Sequence, residues 1–177
     1  MLFLDTDDMK KTRKKTLPRI DDRISFLMHR LDAQLAAICN PHFRHLDVVL
    51  HNSRILVILL EAGQARVADL VSRMVLPQST ISHQLRELER RELISRRTAA
   101  HDSRSTIVQL TPKGKRVADQ CNALSTEIYE AMVEGLSRSE IERLRAQLRA
   151  MFARLEKLRV DKLSARAAAR REPRGPS

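Results

Sequence analysis

Apolar side chains recur every three or four residues along most of this chain, so its dominant signal is helical. Ile24, Leu27, Leu31, Leu35 and Ile38 share one helical face, and Asn40-Pro41 follows, which predicts a first helix over residues 20–39 that the proline breaks. A denser run over 43–61, apolar on several sides, closes at Gly63, a residue suited to a left-handed cap. Two shorter helices are expected over 67–74 and 78–91, separated by Leu76-Pro77.

The pattern then changes. Residues 93–97 and 105–110 are short, partly β-branched runs around a polar, basic stretch at 98–104, which reads as a β-hairpin. Thr111 is placed to cap a helix whose first residue is Pro112, where a missing N–H does least harm. That helix carries Val117, Cys121, Leu124, Ile128 and Met132 and stops at Gly135. A capping box, Ser137 to Glu140, opens the last helix, where Ile141, Leu144, Leu148, Met151, Leu155 and Leu158 alternate spacings of three and four. The fold class is therefore mainly α: a helix-turn-helix with a small β-hairpin wing, flanked by N- and C-terminal helices. The flanking stripes exceed what a winged helix could cover, so a second copy of the chain is the economical partner.

Composition narrows the chemistry. The chain has 177 residues, 42% of them hydrophobic, which suits one folded domain. Four glycines, Gly63, Gly114, Gly135 and Gly175, assemble no P-loop or dinucleotide-binding pattern. The longest apolar run is six residues, 55–60, far short of a membrane span. Asp5, Asp7 and Asp8 interrupt the apolar start where a secretory leader needs a longer core. With two cysteines, Cys39 and Cys121, a reducing compartment fits best, and the cytoplasm is the expected location. No catalytic frame is visible, so the chain is not expected to be an enzyme; no cofactor and no metal are expected either.

The formal charge of +11 points to a polyanion, nucleic acid before an anionic membrane. Residues 65–116 carry +6 within folded-domain patterning, while 1–19 and 137–177 carry +3 and +7, partly in tails. Lys10, Lys11, Arg13, Lys14 and Lys15, and at the other end Arg170, Arg171 and Arg174, lie in stretches expected to fray. On a helix starting near Gln78, Ile81, Leu85 and Leu88 form the apolar face, leaving Gln78, Ser79, Ser82, His83 and Arg86 on the other. Such a face suits a major groove, and the helix N-terminus with Ser79 and Thr80 suits phosphate.

In the stretch 99–114, Asp102-Ser103-Arg104 precedes Leu110-Thr111-Pro112-Lys113-Gly114. Here the sequence resembles the MarR family of bacterial winged-helix regulators, whose wing carries Asp-x-Arg and whose second wing strand runs into Leu-Thr-x-x-Gly. Val67 to Val71 and Ser79 to Glu89 also resemble the family's two helix-turn-helix helices. The likeness is specific over residues 46–116. It implies a homodimeric, sequence-specific regulator, most often a repressor, on a pseudo-palindromic double-stranded operator, retuned by a small-molecule effector. It also implies 46–111 as the winged helix-turn-helix within a domain over 20–163. Residues 20–45 and 112–163 would supply dimerisation helices, 1–19 a basic extension and 164–177 a basic tail. Arg104 would enter the minor groove with Asp102 fixing its geometry. Arg73, Arg96 and Arg97 are expected to contact phosphate, and Arg86 and His83 to read sequence. His83 stands where many members have Arg.

Cys39, His42, His45 and His51 cluster at the junction of the first two helices. They are read as partly buried residues and as candidate effector contacts, because the family's small-molecule pocket lies there. Two rivals stay open: a regulator sensing metal or redox state through Cys39 and these histidines, and a helical adaptor that binds a protein through its last-helix stripe.

Overall fold

The structure, a computed structural model, describes residues 17–100 and 102–169, with the side chains of 103, 104 and 164–169 excepted. The basic clusters at 10–15 and 170–174, and His101, lie outside the described residues. After a 3-10 turn, Ile20–Asp22, the elements are α1 (Ile24–Phe43), α2 (Leu50–Ala62), β1 (Gln64–Arg66), α3 (Val67–Met74), α4 (Gln78–Arg90), β2 (Ile94–Ala99), β3 (Asp102–Leu110), α5 (Pro112–Val133) and α6 (Arg138–Ala169). The contacts divide the chain into two units, before and after the boundary at Leu124–Ser125.

The first unit holds the core. Ile55, Leu56 and Leu59 of α2, Leu70 of α3, Ile81, Leu85 and Leu88 of α4, and Val108 of β3 are all fully buried. Each such side chain stabilises the fold by about 1.5–3 kcal/mol relative to exposure. The strands form one antiparallel sheet in the order β1-β3-β2. Gln64 pairs with Gln109 and Ile94 with Leu110, so β3 is the central strand.

Several expectations need correction. Pro41 does not break α1; the helix runs through it to Phe43 and ends in a tightened turn, with the N–H of Arg44 donating to the Pro41 carbonyl. A proline so near the end forfeits only one ladder bond. The second helix does not begin at 43. Arg44–Leu46 is a 3-10 turn, Asp47 is left-handed (φ 54°), and α2 starts at Leu50, whose N–H donates to Asn40 Oδ1 at 2.9 Å. The hairpin strands reach further than expected, to Ala99 and from Asp102, with a register shift between Thr98 and Ala99. Strand β1 is an element that the sequence pattern does not predict. Helix α6 runs to Ala169, past the expected start of the tail at 164.

Gly63 ends α2 at φ 73°, as its position implied. Thr111 also performs as expected: the N–H of Gly114 donates to Thr111 Oγ1 at 2.9 Å. Its hydroxyl in turn donates to the Glu92 carbonyl at 2.6 Å.

The second unit contains the end of α5 and all of α6. The capping box is formed, with Ser137 N–H donating to Glu140 Oε2 at 2.8 Å and Glu140 N–H to Ser137 Oγ at 3.3 Å. Arg145 Nη2 donates to the Tyr129 hydroxyl at 2.7 Å. None of the described side chains in this unit is buried, and Leu144, Leu148, Phe152, Leu155, Leu158 and Leu163 are all exposed. An apolar stripe of that length costs free energy in water and lowers it when covered.

Candidate nucleic-acid interface

The turn between α3 and α4 sets the site. Helix α3 ends at Val75, a β-branched residue held left-handed at φ 54°. Pro77 then sits at the cap position of α4 with extended ψ. No side chain caps α4, so the N–H groups of its first turn point outward with the positive end of the helix dipole.

Burial of Ile81, Leu85 and Leu88 pins one face of α4 against the core. The opposite face shows Gln78, Ser79, His83 and Arg86 to solvent, with Thr80 and Ser82 partly covered. This is the division read from the sequence. Arg86 Nε donates to the Ser82 carbonyl at 3.4 Å, a contact within its own helix that leaves the guanidinium head exposed.

Both carboxylates of the latter half of α4 are occupied. Glu87 accepts from Arg90 at 2.7 and 3.0 Å and from Arg91 Nε at 2.7 Å. Those two arginines, Arg90 first, hold its carboxyl at about 2, well below the ordinary range. Arg91 also reaches Asp47 at 3.1 Å, tying the end of α4 to the turn before α2. Glu89 is held below the ordinary range chiefly by its hydrogen bond from Arg96. The acidity of α4 is thus paired off, while Arg86 has no carboxylate partner among the described residues.

The wing stands beside this face. Arg97 is exposed and donates to Gln64 Oε1 at 2.9 Å across the sheet. Arg73, at the end of α3, lies 3.8 Å from Glu61, a loose exposed pair. Asp102 is exposed at the start of β3, and Arg104 lies two residues along the same strand, its side chain outside the described residues. The expected Asp102–Arg104 pair therefore lies outside them too. A groove of about 590 Å³ runs between the end of β1 (Arg66), the start of α3 (Asp69), α4 (Gln78, Ser82) and the wing (Arg96, Asp102, Thr106).

The junction of α1 and α2 differs from expectation. Cys39 is buried, but His42, His45 and His51 are exposed, not partly buried. For His42 the reason is the continuation of α1 through Pro41, which turns Cys39 and Phe43 inward and the residues between them outward. Among the described residues no three His, Cys, Asp or Glu side chains converge as metal ligands. Burial raises the Cys39 thiol and pushes Cys121 up to about 11. A pocket of about 380 Å³ does open at this junction, lined by Asn40, Pro41, Arg44, Asp47, Val48, Asn52 and Arg91. Nothing in the sequence marks its polar lining, because residues 40–52 and Arg91 meet only in the fold.

Among the described residues no helix is long and apolar enough to cross a membrane. Residues 52–106 match the model of the MarR family. The chain is 24% identical over 115 residues to the HTH-type transcriptional repressor IacR of Pseudomonas putida, covering 65% of this chain and 69% of that one. It is 22% identical over 140 residues to the organic hydroperoxide resistance transcriptional regulator of Bacillus subtilis, covering 79% and 92%. A MarR family regulator from Silicibacter pomeroyi superposes with a TM-score of 0.68 at 26% identity, over 77% of this chain and 92% of that one. The DNA complex of MepR from S. aureus gives 0.68 at 24% identity, over 75% and 98%. The helix-turn-helix, the wing and the threonine-capped α5 accord with these matches: the chain is similar to MarR family winged helix-turn-helix transcriptional regulators, the family model itself matching residues 52–106.

Proposed function

We propose that this chain is a cytoplasmic, homodimeric transcriptional repressor that binds a pseudo-palindromic operator in double-stranded DNA. The observation that carries this is the outer face of α4: Gln78, Ser79, Ser82, His83 and Arg86 on a helix whose own carboxylates are neutralised. Arg86 and His83 read base edges, and Ser79 and Thr80 at the open N-terminus meet phosphate. Arg73 and Arg97 neutralise backbone charge, and Arg104 extends into the minor groove with Asp102 beside it. A second copy covers the exposed stripes of α1 and α6, which sets two α4 helices on half-sites about 10 bp apart.

Repression is relieved or retuned by a small molecule. Its seat is the α1–α2 junction, where the 380 Å³ pocket lies beside the turn bearing His45, with Cys39 and His42 on α1 and His51 on α2. The effector acts by favouring dimers whose half-site spacing no longer fits. Selection of duplexes by the purified protein from a random pool is the test. It should enrich a sequence with two-fold symmetry, bound with an affinity that falls steeply with salt. A pool without enrichment, or an affinity indifferent to salt, would sink the reading.

A further inference from the structure

We propose that the Arg96–Glu89 ion pair is a clamp that sets the angle of the wing against α4, making Arg96 a positioning residue for DNA recognition instead of a phosphate contact. The proposal rests on the DNA-binding reading and adds to it a division of labour between neighbouring arginines.

Glu89 lies seven and eleven residues beyond Ser82 and Gln78, on the same face of α4. Between it and Arg96 the chain reverses through Glu92, left-handed at φ 58°. Arg96 folds back across that reversal: its Nε donates to Glu89 Oε2 at 2.8 Å, and Nη2 meets the same oxygen. Arg96 is paired in the sheet with Val108, which is fully buried, so its backbone is anchored at the root of the hairpin. Arg97, the next residue, serves the other neighbour and donates to Gln64 on β1. One arginine therefore ties the wing to the reading helix and the other ties it to the sheet edge.

The geometry makes the tie consequential. From Arg96 to the tip of the hairpin is about 12 Å of strand, so a tilt of about 15° at the root moves the tip by about 3 Å, the span of a hydrogen bond. Arg96 also lines the groove between α4 and the wing, together with Gln78, Ser82 and Asp102. A carboxylate on a surface that faces phosphates ordinarily weakens binding. Glu89 does the reverse here, because its charge is spent in holding Arg96.

The test compares Glu89→Gln, Arg96→Gln and the exchanged pair Glu89→Arg/Arg96→Glu. Two probes are used: a duplex enriched from a random pool by the unaltered protein, and a random-sequence duplex of equal length. Glu89→Gln should weaken binding to the enriched duplex about tenfold while binding to the random duplex stays equal or tightens. The slope of log affinity against log salt should be unchanged in Arg96→Gln, and melting temperatures should stay within the small range expected for an exposed pair. The exchanged pair should recover most of the lost discrimination. Tighter binding of the enriched duplex by Glu89→Gln, unchanged binding of it, or a salt slope reduced by about one in Arg96→Gln would overturn the clamp while leaving the DNA reading in place. Failure of the unaltered protein to enrich any sequence would remove both.

Discussion

A Cβ placed on Gly114 would lie 1.7 Å from the carbonyl oxygen of Leu93. The first turn of α5 therefore rests directly on the backbone between α4 and β2. Around that contact, Thr111 N–H donates to the Leu93 carbonyl at 3.1 Å, and Lys113 Nζ donates to the Arg91 carbonyl at 3.0 Å. The Leu-Thr-x-x-Gly stretch that carried the family resemblance is thus a joint: threonine caps the helix and glycine lets it approach.

Gly114→Ala should destabilise the protein by about 3 kcal/mol or more, since the obstructing atom is backbone and cannot rotate away. Urea unfolding followed by circular dichroism measures this. A loss below about 0.5 kcal/mol would mean the joint is looser than described.

Val75 is strained at φ 54°, half-exposed, at the corner between α3 and α4. Asn tolerates the left-handed region far better than a β-branched residue. Val75→Asn is expected to raise stability by about 1 kcal/mol in the same unfolding experiment. Destabilisation would show that the valine side chain contributes packing that outweighs its backbone strain.

Hydrogen bonds from Arg90 and Arg91 push the Glu87 carboxyl down to about 2 in the folded protein, from an ordinary value of 4.5. Its contribution to stability is therefore full above about pH 4.5 and is lost as pH falls towards 2. Glu87→Gln should flatten the stability profile in that acid window and leave its shape at neutral pH unchanged. The difference should shrink in high salt, because the cluster is solvent-facing. Parallel acid titrations of both proteins, read by fluorescence of a bound dye or by ellipticity, provide the check.

Arg86 and Arg97 are both exposed cations on different elements, and the proposed function gives them different tasks. Arg86→Ala should relax sequence preference at one position of each half-site by about 1–3 kcal/mol. Arg97→Ala should weaken enriched and random duplexes alike and lower the salt slope by about one. Competition binding with single-base variants distinguishes the two outcomes. The same pair of variants addresses the adaptor alternative, whose activity neither substitution would touch.

Cys39 and Cys121 are buried, with both thiols raised by desolvation. At pH 7 neither should react with a maleimide while the protein is folded, and both should react once denaturant is added. Mass spectrometry at timed intervals tests this. Rapid labelling of native Cys39 would revive the redox-sensing alternative.

What was legible in the chain's own letters was whatever neighbouring residues decide between themselves. The apolar periodicity located α3 and α4 to within a residue, Gly63 and Gly135 marked helix ends, and Thr111 and Ser137 announced their caps. The face of α4 that meets solvent followed from spacing alone, since a helix repeats every 3.6 residues wherever it is packed. The tertiary structure decided the rest. A three-residue strand such as β1 has no periodicity of its own and exists because Gln64–Arg66 meets Gln109–Ile107 some forty residues later. Pro41 stays helical because α1 ends two residues on, and its neighbour Asn40 is spent as a cap for α2. Histidines that cluster in sequence point outward, while Arg96 finds Glu89 only once the chain has turned back on itself. Local propensity acts over a few bonds; which charge meets which depends on a fold that the whole core must first close.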